Sequence, residues 1–318
     1  MKFQAKKAVR TKRPLKVSVE GLSGSGKTFT ALRLAFDMKR HGIGSKIVVM
    51  DSENGSASLY AGVEIDGERW DFDTVELTGD ACNPAGYAEA YRWAVAPAQG
   101  YDIVIFDSLT HAWHGAVEEV DRIAAGPKGD KFRAWATVTP QQREMLRALT
   151  DTAAHCICTM RVKSEYDRTT DDKGRVSIKK IGTKTDQREG AEYEFDLVLR
   201  MDAGNQVAVE KVRGCTALNG RTASKPGPAF WAPLFDWWRG GADVPTPPPA
   251  ASPAPGKDQP AESLAEAVRA TLKVAKKGWA DVLAWVNESF KTGHPAKTKF
   301  GDIDPAHLQA WVDAFTPQ

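Results

Sequence analysis

The spacing of apolar positions changes period repeatedly along the chain, and each change predicts an element. Residues 15–19 alternate as a strand that ends at Gly21, and residues 28–40 carry Leu32, Leu34, Ala35 and Met38 at helical spacing up to Gly42. Residues 46–50 are β-branched and run into Asp51-Ser52-Glu53, with Asn54-Gly55 as a turn. Residues 72–77 read as a strand, and residues 84–96 as a helix with Pro84 in its first turn. Residues 103–106 are continuously apolar, as in a strand buried on both faces, and stop at Asp107-Ser108. A helix is predicted over 112–125. A second begins at Thr139-Pro140-Gln141-Gln142, which has capping-box spacing, and carries Met145, Leu146 and Leu149 to about Ala154. Residues 155–160 form a short buried strand.

Helices alternating with buried strands specify an α/β fold whose mostly parallel sheet is covered on both faces. From 161 to 189 the chain turns polar, with nine basic and six acidic residues. This predicts a long functional loop, with a hairpin around 172–174 and a weak strand through Val176, Ile178 and Ile181. Residues 194–201 and 206–212 are two strands joined at Ala203-Gly204-Asn205, a C-terminal hairpin. Trp231, Phe235, Trp237 and Trp238 read as packing for the last segment of the core. Pro, Ala and Ser dominate 243–260, which predicts an extended linker. Beyond it, Leu264, Val268 and Leu272, then Trp279, Val282, Leu283, Val286 and Phe290, then Leu308, Trp311, Val312 and Phe315 mark three amphipathic helices. The expected organisation is a basic arm over 1–14, an α/β core over 15–242, a linker over 243–260 and a small all-α module over 261–318.

Composition narrows the class. Of 318 residues, 42% are apolar and 26% charged, which excludes disordered and fibrous chains. No apolar run reaches the ~20 residues of a membrane span, and no apolar stretch follows the basic N-terminus, so no membrane partner and a cytoplasmic location are expected. Cys82, Cys156, Cys158 and Cys215 form no C-x-x-C pair, so reduced thiols are expected and zinc is not. His111 and His114 read as surface or packing residues. The net charge of +2 conceals a basic arm in which Lys2, Lys6, Lys7, Arg10, Lys12, Arg13 and Lys16 precede the first acid, Glu20. Such an arm either binds nucleic acid or is a solvated tail.

Candidate chemistry enters at Gly21-Leu22-Ser23-Gly24-Ser25-Gly26-Lys27-Thr28, which fits G-x-x-x-x-G-K-[ST] between a strand and a helix. Glycines let backbone N–H groups wrap a triphosphate, and the helix N-terminus adds partial positive charge. On this reading Gly21, Ser23, Gly24, Ser25, Gly26, Lys27 and Thr28 hold ATP. Lys27 reaches the β- and γ-phosphates and the Thr28 hydroxyl ligates Mg²⁺. Asp107, ending a buried strand, has the form of the Walker B acid that holds Mg²⁺ opposite Thr28, its alternative being a cap on the following helix.

Residues 126–135 interleave cations with aromatics. Lys128, Lys131 and Arg133 would follow phosphates while Phe132 and Trp135 stack on bases, or the segment is an ordinary loop with its aromatics turned inward. The polar stretch adds Arg161, Lys163, Arg168, Arg175, Lys179 and Lys180. Facing the same side, the two would complete a basic channel for single-stranded nucleic acid. Lys211 and Arg213 share one strand face, either as a solvated edge or as a finger that contacts ATP.

With these residues the chain resembles the RecA-like P-loop ATPases, especially the compact core-only phage recombinases that act with single-strand annealing. The resemblance covers about residues 15–215. It rests on Gly21 to Thr28, on Asp107, and on Asp51-Ser52-Glu53 after the second strand, where that family carries its catalytic glutamate. It implies Glu53 as the base that activates water, and residues 126–137 and 161–190 as two DNA-binding loops. It also implies Lys211 and Arg213 as a basic pair that reaches a neighbour's γ-phosphate, so that the chain assembles with itself as a ring or filament. Where the family has a glutamine sensor, strand 155–160 has none, leaving Thr159 or Arg161 for that role. The expectation is a Mg²⁺-requiring, DNA-dependent ATPase that promotes annealing or strand exchange on single-stranded DNA, in the host cytoplasm if phage-encoded. Two alternatives stand beside it: a helicase loader or replication accessory ATPase acting mainly on protein, and a nucleotide-dependent interaction switch that barely hydrolyses. The C-terminal helices would dock a single-strand-binding or replication protein.

Overall fold

A computed structural model of the chain describes residues 5, 7–127, 129–150, 154–170, 176–243, 268, 271–272, 279–290, 298–299, 303, 307–308 and 311–312, with backbone alone over 164–170 and 176–181. The chain divides into two compact units, Met1–Val244 and Pro245–Gln318.

In chain order the first unit forms β1 (Lys16–Gly21), α1 (Lys27–Arg40), β2 (Ile47–Asp51), the short pair β3 (Glu64–Ile65) and β4 (Glu68–Arg69), then β5 (Asp73–Glu76), α2 (Pro84–Val95) and β6 (Ile103–Asp107). There follow α3 (Leu109–Ala124), α4 (Lys131–Thr150), β7 (His155–Thr170), β8 (Val176–Thr185), β9 (Leu197–Met201), β10 (Gln206–Val212), β11 (Thr222–Ser224) and α5 (Pro228–Arg239). Spatially the main sheet runs β11-β10-β9-β1-β7-β6-β2-β5. From β9 to β5 every pairing is parallel, whereas β10, β11 and the β8 branch on β7 pair antiparallel.

Alternation along the parallel strands sends side chains to two cores. Val17, Val19, Val49 and Ile105 pack with Leu32 and Phe36 of α1 and with Trp231 and Phe235 of α5. On the other face Met50, Val104, Phe106 and Cys158 pack with Tyr87 and Tyr91 of α2 and with Met145 and Leu149 of α4. Burial on both sides is why residues 103–106 carry no polar position. The register brings the strand tips level, Gly21 opposite Arg161 and Asp51 opposite Asp107.

Two expectations are corrected. The helix expected from Thr139 begins at Lys131, because Asp130 Oδ1 accepts the N–H groups of Phe132 (2.8 Å) and Arg133 (3.1 Å). Pro140 then lies inside α4, where its missing N–H normally costs roughly 3 kcal/mol. Ala134 and Val138, packed on Ala116 and Val120 of α3, hold this first half in place. The polar stretch after 160 is more strand than loop: the expected weak strand through Val176, Ile178 and Ile181 is part of β8, but it pairs antiparallel with β7, which continues to Thr170 where a loop was expected, while the turn 171–175 lies outside the described residues. Smaller shifts put the start of α3 at Leu109 and that of β9 at Leu197.

The N-terminal arm is strapped to the core over residues 10–13. Lys12 N–H donates to the Ala242 carbonyl (2.7 Å), Ala242 N–H donates to the Arg10 carbonyl (2.9 Å), and Arg13 pairs with Asp196 at 2.6 Å. Arg10 lies over the Trp237 ring, so the arm is tied to the core over this stretch while Arg10 and Arg13 stay exposed. Lys2 and Lys6 lie outside the described residues.

In the second unit, helix Trp279–Phe290 buries Val282, Leu283 and Val286 against Val268, Leu308 and Trp311. Leu264, Phe315 and the stretch 244–260 lie outside the described residues.

Candidate active site

The turn between β1 and α1 is shaped by its glycines. Gly24 (φ 76°) and Gly26 (φ 87°) occupy the left-handed region. Gly21 is constrained by packing, since a Cβ there would meet Ser25 Oγ at 2.4 Å. No side chain caps α1 at Gly26, and the helical ladder opens with Thr30 N–H donating to the Gly26 carbonyl (2.9 Å), so the amides of Lys27, Thr28 and Phe29 precede it. The buried Ser25 hydroxyl has no partner among the described residues. A loop of this form, opening a helix with no acid in its first turn, is a cradle for phosphate. Lys27 Nζ donates to the Leu22 carbonyl at 2.9 Å. Burial lowers the affinity of this amine for its proton, opposed by the Asp107 and Glu53 carboxylates and reinforced by Arg161.

Opposite the loop, β6 delivers Asp107. Its Oδ2 accepts from Thr28 Oγ1 at 2.7 Å, and its Oδ1 accepts from Thr159 Oγ1 on β7. Burial raises the Asp107 pKa; the two hydroxyls oppose this and the charges of Glu53 and Asp51 add to it. Two hard oxygen donors, Thr28 and Asp107, thus converge where negative charge is in excess, a donor set that suits Mg²⁺.

The acids after β2 divide the work. Asp51 is a backbone organiser: its carboxylate accepts the N–H groups of Glu53 (2.7 Å), Gly55 (3.3 Å) and Ala57 (3.2 Å), closing the turn through Asn54 and Gly55. Glu53 is thereby presented at the site edge, where Arg161 grips it with two prongs, Nε to Oε1 at 3.0 Å and Nη2 to Oε2. Burial works to raise the Glu53 pKa, but the Arg161 hydrogen bonds and charge, aided by His111 and Ser108, leave it lowered. Ser52 ties this corner together, accepting from Tyr87 OH (2.9 Å) and lying 2.8 Å from His111 Nδ1.

Sequence reasoning missed a cavity of about 270 Å³ beside the loop, lined by Gly24, Gly26, Phe29, Tyr60, Asn205 and Lys225. Asn205 Nδ2 donates to the Gly24 carbonyl (3.4 Å), and Tyr60 and Phe29 belong to an aromatic cluster centred on Trp70. The available signal was Tyr60 itself, an aromatic residue in the turn-rich stretch after Glu53.

The remaining candidates separate. Arg161 lies in the site rather than on a remote loop, its backbone N–H donating to Thr110 Oγ1 at 2.9 Å. Lys163, one strand position pair further on, meets Asp186 (2.9 Å), which also meets His114 (2.9 Å). Both histidines are therefore bonded. Arg168, Lys179 and Lys180 stand on the β7–β8 ladder, with side chains outside the described residues, as are Lys128 and Arg175 altogether. Lys131 and Arg133 are exposed on α4 and paired with Asp121 and Asp130. Phe132 is 85% exposed, but the ring of Trp135 stacks on Trp113 with centroids 5.5 Å apart. Lys211 donates to the Glu192 carbonyl (2.8 Å), and Arg213 pairs with Asp196. Lys211 is level with Val198 and hence Ser18, three residues before Gly21, so this pair sits roughly 10 Å down the sheet from its own loop.

Residues 13–223 match the family described as AAA domain. No curated protein matches the chain. That span contains the glycine loop, both acids, the parallel sheet and the β7–β8 hairpin, and it covers more than half of the 318 residues; the chain belongs to the AAA domain family and is an AAA-type P-loop ATPase domain.

Proposed function

We propose that the chain is a RecA-like ATPase that binds single-stranded DNA and promotes annealing or strand exchange. One observation carries the step from nucleotide to nucleic acid. The strand between the glycine-loop strand and the Asp107 strand, β7, supplies Thr159 and Arg161 to the site and then runs on without a break into the β7–β8 hairpin. That hairpin carries Lys163, Arg168, Lys179, Lys180 and Lys184, and such a basic ribbon suits a phosphate backbone.

In this reading Gly21, Ser23, Gly24, Ser25, Gly26 and Lys27 cradle the phosphates of ATP, and the base enters the cavity of Phe29, Tyr60, Asn205 and Lys225. Thr28 and Asp107 would hold Mg²⁺, which when bound supplies Lewis-acid stabilisation of phosphate charge. Thr159 keeps the Asp107 carboxylate in one orientation. Glu53 orients water and takes its proton. Lys211 and Arg213 lie too far down the sheet for their own loop and serve a neighbouring copy. Lys131, Phe132 and Arg133 at the start of α4 offer a second nucleic-acid contact, and the second unit docks a protein partner.

Fluorescence anisotropy of a labelled single-stranded oligonucleotide tests the reading. With a non-hydrolysable ATP analogue and Mg²⁺, binding should tighten about tenfold or more over the nucleotide-free protein and weaken steeply as salt is raised. Lys163→Ala should weaken it and flatten the salt slope. Absence of binding at low salt, with or without nucleotide, would refute the DNA reading.

A further inference from the structure

Alternation along β1 turns Val17 and Val19 toward α1 and so sends Ser18 and Glu20 to the opposite face, beside Val198 and Met160 of the second core. Glu20 is fully buried there, immediately before the first glycine of the loop. A carboxylate out of reach of water has to be met by donors, and Glu20 collects them from three strands. Its Oε1 accepts from Ser18 Oγ at 3.0 Å, while its Oε2 accepts from Thr185 Oγ1 and pairs with Arg200 Nη1 at 3.0 Å. Arg200 in turn donates from Nε and Nη2 to Glu210, each at 3.2 Å. Thr185 is the last residue of β8, the strand by which the basic hairpin returns. The carboxylate thus joins the exit of the hairpin to the strand that opens the glycine loop. The residues next to this joint wall the nucleotide site. Gly21 follows Glu20, Met201 follows Arg200, and the two approach closely: a Cβ at Gly21 would meet Met201 Cβ and the Met201 carbonyl at 3.0 Å. Met201 also lines the cavity of about 270 Å³ beside the loop. Over the carboxylate, by contrast, lies a cavity of about 350 Å³ whose lining includes Thr185, Lys184, Arg200 and Lys211. The loop side of the joint is tightly packed, and the hairpin side has room to move.

We propose that Glu20 is a positioning residue that couples the hairpin to the glycine loop, through Thr185 on one side and Gly21 and Met201 on the other. What the hairpin holds then changes the affinity of the loop for nucleotide. An apolar side chain, as at Met160 and Val198, would fill the same space without linking these strands, whereas a shared carboxylate holds them only while each donor keeps its geometry. A load on β8 that withdraws the Thr185 hydroxyl leaves Arg200 to take the whole carboxylate, and Glu20 and Arg200 carry Gly21 and Met201 with them. The route runs on the face of the sheet opposite to Val17 and Val19 and uses neither Thr159 nor Arg161. Because the two binding free energies are linked, nucleotide changes the hairpin's affinity for its ligand by the same factor. The inference rests on the reading of the hairpin as a nucleic-acid ribbon.

The test is the affinity of the full chain for a non-hydrolysable ATP analogue with Mg²⁺, measured with and without a saturating single-stranded oligonucleotide. The ratio of the two affinities is the readout, and the unaltered chain should give about tenfold or more. Thr185→Val and Glu20→Gln should each lower the ratio to about twofold or less, while the analogue alone binds within about threefold of the unaltered chain. Thr185→Ser, which keeps the hydroxyl, should retain the ratio, as should Thr183→Val at an exposed position on the same strand. Binding of the analogue alone shows that a variant is folded, and if Thr185→Val loses it the Glu20→Gln ratio decides. A ratio that survives both Thr185→Val and Glu20→Gln overturns the proposal, whatever the absolute affinity of the analogue. So does an unaltered chain that binds both ligands with a ratio near one, and in either case the DNA reading stands. An unaltered chain that does not bind the oligonucleotide overturns the proposal together with that reading.

Discussion

Single residues on β1, β2, β6 and β7 are set by opposing demands of burial and charge, and Asp37 on α1 shows the balance in isolation. It is only 2% exposed, and burial raises its pKa to about 6 against the pull of Arg40 and Arg33, with Asp66 and Glu68 pushing the same way as burial. A folded-state pKa above the usual 3.8 means that the folded protein holds the proton more tightly than the unfolded one. The resulting stability is present below about pH 4 and is lost as the pH rises through about 6. Asp37→Asn should therefore remove the fall in urea midpoint between pH 4.5 and 7.5 and make the variant the more stable form at pH 7.5, by on the order of 1–2 kcal/mol. At this scale the sequence was most legible where chemistry requires a fixed local spacing. Gly21 to Thr28 and the acids at Asp51, Glu53 and Asp107 could be found because strand tips and a glycine loop have fixed sequence signatures. The partners of those residues were not legible, because Arg161 meets Glu53 and Thr159 meets Asp107 only through the strand order.

Elements tell a similar story with a different cause. The alternating helices and buried strands were readable from periodicity, whereas α4 and β7 were longer than their apolar stretches. In α4 the cap at Asp130 outweighs the proline and capping-box signal at Thr139 to Gln142. In β7 the continuation past Met160 is held by a ladder to β8, so its side chains need no apolar period. The start of α4 also separates two aromatics that look equivalent in sequence. Trp135 stacks on Trp113, while Phe132 is solvent-facing. Trp135→Ala should cost roughly 2 kcal/mol in chemical denaturation, whereas Phe132→Ala should stay within about 0.5 kcal/mol. If α4 contacts nucleic acid, Phe132→Ala alone lowers oligonucleotide affinity. A larger loss of stability for Phe132→Ala than for Trp135→Ala would show that the packing assigned to this turn is wrong.

For the whole molecule, the proposed function spreads the active site over two places on the sheet. The glycine loop, Thr28, Asp107 and Glu53 gather at one end, and Lys211 and Arg213 stand about three strand positions away toward the other. On the proposed reading, in which Lys211 and Arg213 meet a phosphate, that phosphate belongs to a neighbouring copy in a head-to-tail array. The hairpin around 172–174 was legible from its turn residues, but its continuity with the β7 strand of the site was not, because the polar residues 161–170 carry no apolar period and the net charge of +2 averages over a basic ribbon and acidic strand tips. The most direct measurement is steady-state ATP turnover as a function of protein concentration, with and without single-stranded DNA. Turnover per chain should rise with protein concentration, increase about tenfold or more when single-stranded DNA is added, and vanish in Glu53→Gln. Turnover per chain that is flat in protein concentration and indifferent to DNA would contradict the account of a site completed by assembly on DNA.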